Sequence, residues 1–188
     1  MKLKQNFYNQ STLKVAKKLL GKILVRKAGR KTLRGLIVET EAYIGPADKA
    51  SHASRGKTPR TEAMFGEPGF WYIYLIYGMY YCLNIVTENK DYPAAVLIRA
   101  VELLNKKEKP YRLASGPGKL CRYFKIEKKL NKTPAFGPRA KLYLEDIGLK
   151  IKPCQIVKSQ RVGVDYAGEY KDKLWRFYLK DNHFVSKK

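Results

Sequence analysis

The chain has 188 residues, enough for one domain with a substantial hydrophobic core and too few for two comfortable ones. Thirty-nine lysines and arginines stand against 16 acids, a formal net charge of +23, so nucleic acid is the leading partner class: such a field speeds encounter with a polyanion and favours binding by counterion release. Three scattered cysteines and two histidines argue against a disulfide framework and a clustered metal site, and the His-x-Glu with Pro-Cys-x-x-Cys that a zinc nucleobase deaminase needs is absent.

Residues 1–8 contain no apolar h-region, so no secretory signal is expected and a cytoplasmic location is. Apolar Leu13, Ala16, Leu19 and Leu20, with Ser11 as N-cap and Gly21 as stop, predict a helix over 11–20. Residues 22–27 and 32–43 read as strands joined by a turn at 28–30, a basic hairpin. In an extended 37–43, the side chains of Ile37, Glu39, Glu41 and Tyr43 share one face, and those of Val38, Thr40 and Ala42 share the other. Two carboxylates and a tyrosine then line up. Residues 49–60 form a polar loop holding His52, and Thr58-Pro59 is expected to cap a short helix towards Phe65.

No charged residue occurs between Glu67 and Glu88, a length that would suffice for a membrane span. The content does not fit one, because Pro68, Gly69, Gly78, Asn84 and many tyrosine hydroxyls suit a strand or an interface better than hydrocarbon. Seven of the twelve residues 70–81 are aromatic. Strand propensity is strong on both sides of Tyr77-Gly78-Met79, and Gly78 supplies the positive φ of a tight turn, so a β-hairpin with Tyr77 at its tip is predicted. Flat aromatic faces among cations suit stacking on nucleobases, although by propensity alone strand tyrosines are more often core.

Residues 94–103 form the next strand, apolar except for Arg99 and Glu102. An arginine there needs a carboxylate, Glu102 or another, or a ligand. Residues 115–118 read as a cap leading into a helix over 119–124. The lysine-rich stretches 106–109 and 125–132 read as solvated faces. The last third, including Arg161-Val162-Gly163-Val164-Asp165 and residues 174–179, reads as strand and loop. Neither an internal repeat nor a shift of composition marks a boundary, so a single domain over 1–188 is expected.

Six features follow one another along residues 13–185. They are Glu41-Ala42-Tyr43-Ile44-Gly45-Pro46 followed by His52; Met64-Phe65 before Pro68-Gly69; Ile76-Tyr77-Gly78-Met79-Tyr80 with Asn84; Leu97-Ile98-Arg99-Ala100 with Glu102; Ser115-Gly116-Pro117-Gly118-Lys119-Leu120-Cys121; and Arg161-Val162-Gly163-Val164. The ordered set resembles the alkyladenine (3-methyladenine) DNA glycosylase family, the single-domain type without a helix-hairpin-helix. The resemblance implies an α+β fold: one mixed domain around a curved antiparallel β-sheet with flanking helices and a protruding β-hairpin that enters the DNA minor groove. It implies a monofunctional enzyme of base excision repair that flips damaged purines of the 3-methyladenine, hypoxanthine and ethenoadenine class out of double-stranded DNA. The N-glycosidic bond is then hydrolysed with an activated water, leaving an abasic site, with no metal, cofactor or covalent lysine intermediate. The implied enzyme is a DNA-associated monomer that does not engage membranes.

Position by position, the resemblance implies that Glu41 is the carboxylate that deprotonates the attacking water and that Arg99 lies beside that water. It further implies that Tyr77 intercalates where the nucleotide was extruded, that Tyr43 stacks on the flipped base, that His52 flanks it, that Tyr74 closes the pocket and that Asn84 disfavours the exocyclic amino group of guanine. Trp71, Tyr72, Tyr80 and Tyr81 are then packing. Glu39 is the natural rival of Glu41, and the Glu-Ala-Tyr spacing selects Glu41. The competing function class is a non-catalytic nucleic-acid-binding protein using the same charge and aromatics. Such a binder has no need for Glu41 facing Tyr43 with Arg99 near, and an acid beside a phosphate track would weaken it.

Overall fold

Strand β2 (Lys31–Ile44) runs for 14 residues, long enough to pair with different strands along its two halves. The fold, taken from a computed structural model, is described for residues 1–104 and 113–188; the lysine run at 106–109 lies outside the described residues. Strand β1 (Ile23–Ala28) pairs with the first half of β2, from Ala28 opposite Lys31 to Ile23 opposite Leu36. On the same edge β8 (Arg176–Leu179) takes over opposite Glu39 to Glu41. Strand β5 (Ala94–Leu103) follows the other edge along almost the whole length. With β3 (Trp71–Ile76), β4 (Tyr80–Val86), β6 (Leu142–Glu145) and β7 (Ile156–Ser159), the order is β3-β4-β5-β2-β1-β6, with β7 joined to β8 and every pairing antiparallel.

The β2–β5 register breaks twice. Ile37 pairs with Val101 but Glu39 with Ala100, leaving Val38 as an extra residue; Thr40 then pairs with Ile98, leaving Arg99 extra on the opposite strand. Paired bulges of this kind bend a sheet and re-aim side chains, and the sheet curls accordingly. They also correct the expected alternation. Ile37 joins Val38 and Ala42 in the main core, while Glu39 and Glu41 keep a common direction.

Among the described residues three α-helices accompany the sheet: α1 (Gln5–Tyr8), α2 (Thr12–Leu19) and α3 (Pro117–Tyr123). Helix α2 buries Val15, Ala16 and Leu19 in the core, and Thr40 Oγ1 donates to Ala16 O at 3.0 Å. Ser11 occupies the N-cap position but its side chain makes no cap bond; instead Thr12 N and Oγ1 both donate to Glu88 Oε1, at 2.9 and 2.5 Å. Gly21 ends the helix as expected. Its φ of 80° suits glycine, and a Cβ there would lie 2.8 Å from Ile151. In α3, Gly116 is the N-cap and Pro117 opens the first turn.

Two expectations need correction. The short helix near Phe65 is a 3-10 turn over Glu62–Phe65 with Thr61 at its N-cap, because Thr58 O accepts from Thr61 N and Glu62 N and so closes a separate turn first. The stretch 125–132 is not simply solvated: Ile126 and Leu130 enter the main core, and Asn131 Oδ1 accepts from Ile73 N at 2.8 Å. Trp71 is fully buried, with Nε1 donating to Leu142 O at 3.0 Å. Among the described residues no helix is long and apolar enough to cross a membrane.

Candidate active site

The two bulges bring the charged side chains of the central strands together. Glu39 and Glu41 are each 0% exposed, and Arg99 is 7% exposed. Arg99 bridges both: Nε donates to Glu39 Oε1 at 3.2 Å, and Nη1 lies 3.3 Å from Glu41 Oε1. Glu102, the carboxylate nearest in sequence, instead accepts from Asn182 Nδ2 at 3.0 Å. Glu39 is saturated by Arg176 Nη1 at 2.9 Å and Ser186 N at 2.7 Å. Burial pulls the Arg99 guanidinium pKa down, but Glu41 and then Glu39 more than offset this and hold it above its ordinary value.

Glu41 has a different surrounding. Oε2 accepts from Tyr43 Oη at 2.8 Å and Oε1 from Val162 N at 2.8 Å. The Tyr43 hydroxyl pKa is held well above its usual value by burial and then by Glu41, so it stays a donor. Glu41 is thus the acid oriented by a tyrosine and a backbone amide, and Glu39 the acid locked between two guanidinium groups.

In front of this cluster opens a cavity of about 120 Å³ lined by Tyr43, His52, Tyr72, Tyr74, Asn84 and Arg99, among others. Tyr72 and Tyr74 lie two residues apart on β3 and so face the same side; their rings are 5.2 Å apart. His52 stands edge-on to Tyr74 at 4.5 Å, and its Nδ1 lies 3.1 Å from Tyr72 Oη. Burial, and then Arg60 and Arg55, push the His52 pKa down to about 4, so the imidazole is neutral near pH 7. Asn84, opposite Tyr72 across the β3–β4 ladder, is buried and its Nδ2 donates to Tyr72 O at 3.2 Å. The sequence makes Tyr72 a packing residue. Its ring does pack, but its hydroxyl holds His52 and its face forms cavity wall.

At the far end of the same hairpin, Tyr77-Gly78-Met79 makes the turn, closed by Met79 N donating to Ile76 O at 3.1 Å. Tyr77 is 81% exposed and has a φ of 53°. A bulky aromatic in the left-handed region, with its ring in solvent, costs of order 1 kcal/mol or more. Behind it, Arg60 Nη2 donates to Leu75 O at 3.3 Å and its guanidinium lies 5.4 Å from the Tyr74 ring centre.

Two residues without a sequence-based role hold the other wall. Arg161 makes a two-pronged contact with Asp48 (Nη1–Oδ2 2.6 Å, Nη2–Oδ1 2.8 Å), both side chains being fully buried. Its guanidinium also lies over Tyr43 and Trp175, at 4.8 and 5.1 Å, and donates to Ala42 O at 2.9 Å. This pair fixes the loop after β2 to the 161–164 segment, and so fixes the Val162 amide on Glu41. Among the described residues no group of three or more His, Cys, Asp and Glu side chains could hold a metal ion.

Arg99, Tyr43, His52, Tyr74 and Asn84 therefore meet around one cavity, Glu41 lies directly behind three of its lining residues, Tyr43, Arg99 and Val162, and Tyr77 stands apart at the hairpin tip. Comparison with known proteins identifies the family. Residues 6–183 match the family model described as Methylpurine-DNA glycosylase (MPG). A protein of Clostridium perfringens (strain 13 / Type A) assigned as a 3-methyladenine DNA glycosylase is 48% identical over 206 residues, covering all of both chains. One of Methanocella arvoryzae, assigned in the same terms, is 52% identical over 198 residues, covering 99% of this chain and 96% of the relative. The non-catalytic alternative is thereby set aside: the chain belongs to the methylpurine-DNA glycosylase family and is a DNA glycosylase of base excision repair.

Proposed function

We propose that the enzyme flips damaged purines out of duplex DNA into the tyrosine-lined cavity and hydrolyses their N-glycosidic bond. The observation that carries this reading is Glu41: a buried carboxylate oriented by Tyr43 Oη and Val162 N, two residues that line a cavity of flat aromatic faces. A base inside a duplex hides its glycosidic carbon, so extrusion precedes chemistry and costs a few kcal/mol of stacking. Tyr77 fills the gap left behind. Tyr43 stacks on the extruded base, His52 and Tyr74 bound its edge and outer face, and Asn84 crowds the position of a guanine amino group.

Water then attacks C1′ and gives its proton to Glu41, while the electron pair of the C1′–N bond leaves with the base. The sugar acquires oxocarbenium character on the way, and the Glu41 carboxylate stabilises that charge. Arg99, always cationic, holds the other side of the carboxylate and the water.

Among the described residues the cavity lining offers no strong proton donor to the departing base. His52 is neutral near pH 7, and burial holds the Tyr43, Tyr72 and Tyr74 hydroxyls above their usual pKa. Bases that leave without being protonated suit such a site best. Purines made cationic by alkylation meet this condition, and their charge also favours tyrosine faces. The names of the relatives, 3-methyladenine DNA glycosylases, point the same way. The test is incubation with methylated DNA, with separation of the released bases, beside duplexes carrying hypoxanthine or ethenoadenine developed with alkali. Methylated purines should be released fastest, with strand breaks only after alkali. Release of none of these bases would overturn the damaged-purine reading.

A further inference from the structure

Behind Glu41 the polypeptide segment 185–187 crosses the buried charge cluster and contacts it at three points. Ser186 N donates to Glu39 Oε2 at 2.7 Å, Ser186 Oγ accepts from Arg99 Nη2 at 3.3 Å, and Lys187 O accepts from Arg176 Nη1 at 2.7 Å. We propose that Ser186 is a positioning residue for the reaction, holding the Arg99 guanidinium in the plane that keeps Nη1 on Glu41.

Each nitrogen of Arg99 has its own partner: Nε on Glu39, Nη2 on Ser186 and Nη1 beside Glu41. A guanidinium is a rigid planar fork, so two anchors fix the direction of the third donor. Arg176 supports the arrangement from the other side. It shares Glu39 Oε1 with Arg99, and its remaining donors go to Gln160 O at 2.8 Å and Ser159 Oγ at 3.1 Å, so it does not compete for Glu41. The cluster holds two carboxylates and two guanidinium groups and is balanced. A hydroxyl is the right third anchor for that reason. A carboxylate at 186 would draw Arg99 away from Glu41 and leave a surplus negative charge in a buried site, whereas alanine would leave Nη2 without this acceptor.

The inference rests on the proposed role of Glu41 and Arg99, and its test separates the two. Single-turnover base release and equilibrium binding are measured on methylated duplex for wild type, Ser186→Ala, Ser186→Thr, Arg99→Lys and Ser186→Ala/Arg99→Lys, each with a thermal melt. Ser186→Ala should release base about tenfold more slowly, as expected for one lost hydrogen bond to a charged group. Its affinity for lesion duplex should be unchanged, and Ser186→Thr, which keeps the hydroxyl, should restore the rate. Lysine has no Nη2, so Ser186→Ala should cost nothing further in the Arg99→Lys background. Wild-type rates in Ser186→Ala, or losses that multiply in the double variant, would overturn the inference alone. A slower Ser186→Ala whose melting point and DNA affinity fall in parallel would reduce Ser186 to a structural part and overturn it as well. Failure of the wild type to release any damaged purine would overturn the underlying reading and this inference with it.

Discussion

Replacing Asp48 by alanine removes four acceptor contacts at once. Its carboxylate takes Arg161 Nη1 and Nη2 at 2.6 and 2.8 Å, and the backbone amides of Ile44 and Ala50, each at 3.1 Å. Arg161 would remain fully buried with its charge unpaired, a situation that costs about 3–5 kcal/mol. The two orphaned amides push the loss towards the upper end of that range. Against a typical total stability of about 5–15 kcal/mol this is severe, and for a chain of this size the melting point should fall on the order of 10 °C. Urea denaturation at pH 7 gives the number directly. The double variant Asp48→Ala/Arg161→Met supplies the decisive comparison, because with no charge left unpaired it should recover at least half of the loss. A cost below about 1 kcal/mol for Asp48→Ala, or a double variant as unstable as the sum of the singles, would refute the reasoning. Folded Asp48→Ala should also release base more slowly, since Arg161 adjoins the Val162 amide that holds Glu41.

Tyr77→Gly should separate stability from function. Glycine accepts the φ of 53° without a Cβ penalty, so stability should hold or rise by up to about 1 kcal/mol. Discrimination between lesion-bearing and undamaged duplex in a gel-shift titration should nevertheless be lost, and unchanged discrimination would remove Tyr77 as the wedge. The His52 pKa of about 4 lies below the 6.5 of an unfolded histidine, so between these values the unfolded chain binds more protons. Stability should therefore be unaffected above about pH 6.5 and decline as pH falls towards 4. The limit is about 3 kcal/mol, reduced to roughly 1–2 kcal/mol because the ring is part-exposed and water screens the neighbouring arginines. His52→Gln should flatten this decline in denaturation series at pH 7, 6, 5 and 4.5; equal declines in variant and wild type would contradict the assignment.

The hairpin and the strand of residues 94–103 were legible because β-propensity, turn chemistry and apolar runs agreed there. Elsewhere the limits have physical causes. No glycine or proline marks the bulges at Val38 and Arg99, so strict alternation correctly paired Glu39 with Glu41 but misplaced Ile37. Propensity makes Tyr72 a packing residue, although its spacing of two from Tyr74 puts both rings on one face. Ile126 and Leu130, four apart among lysines, carried an apolar signal that charge outweighed. Asp48 with Arg161, and Ser186 with Arg99, lie 113 and 87 residues apart, and only the folded sheet brings them together. The ordered motifs pointed to Glu41 rather than Glu39. The structure supplies a reason for that choice: Glu39 is turned to Arg176 and the Ser186 amide, whereas Glu41 is turned to Tyr43 and Val162, which line the cavity.

Glu41 is the residue proposed to perform the hydrolysis. Single-turnover release of methylated purine from duplex DNA by wild type and Glu41→Gln, with lesion binding measured in parallel, tests it most directly. Glutamine keeps the shape but cannot take the proton of water, so release should become undetectable while lesion binding is largely retained. Release at the wild-type rate in Glu41→Gln would contradict the account and move the catalytic base elsewhere in the cavity.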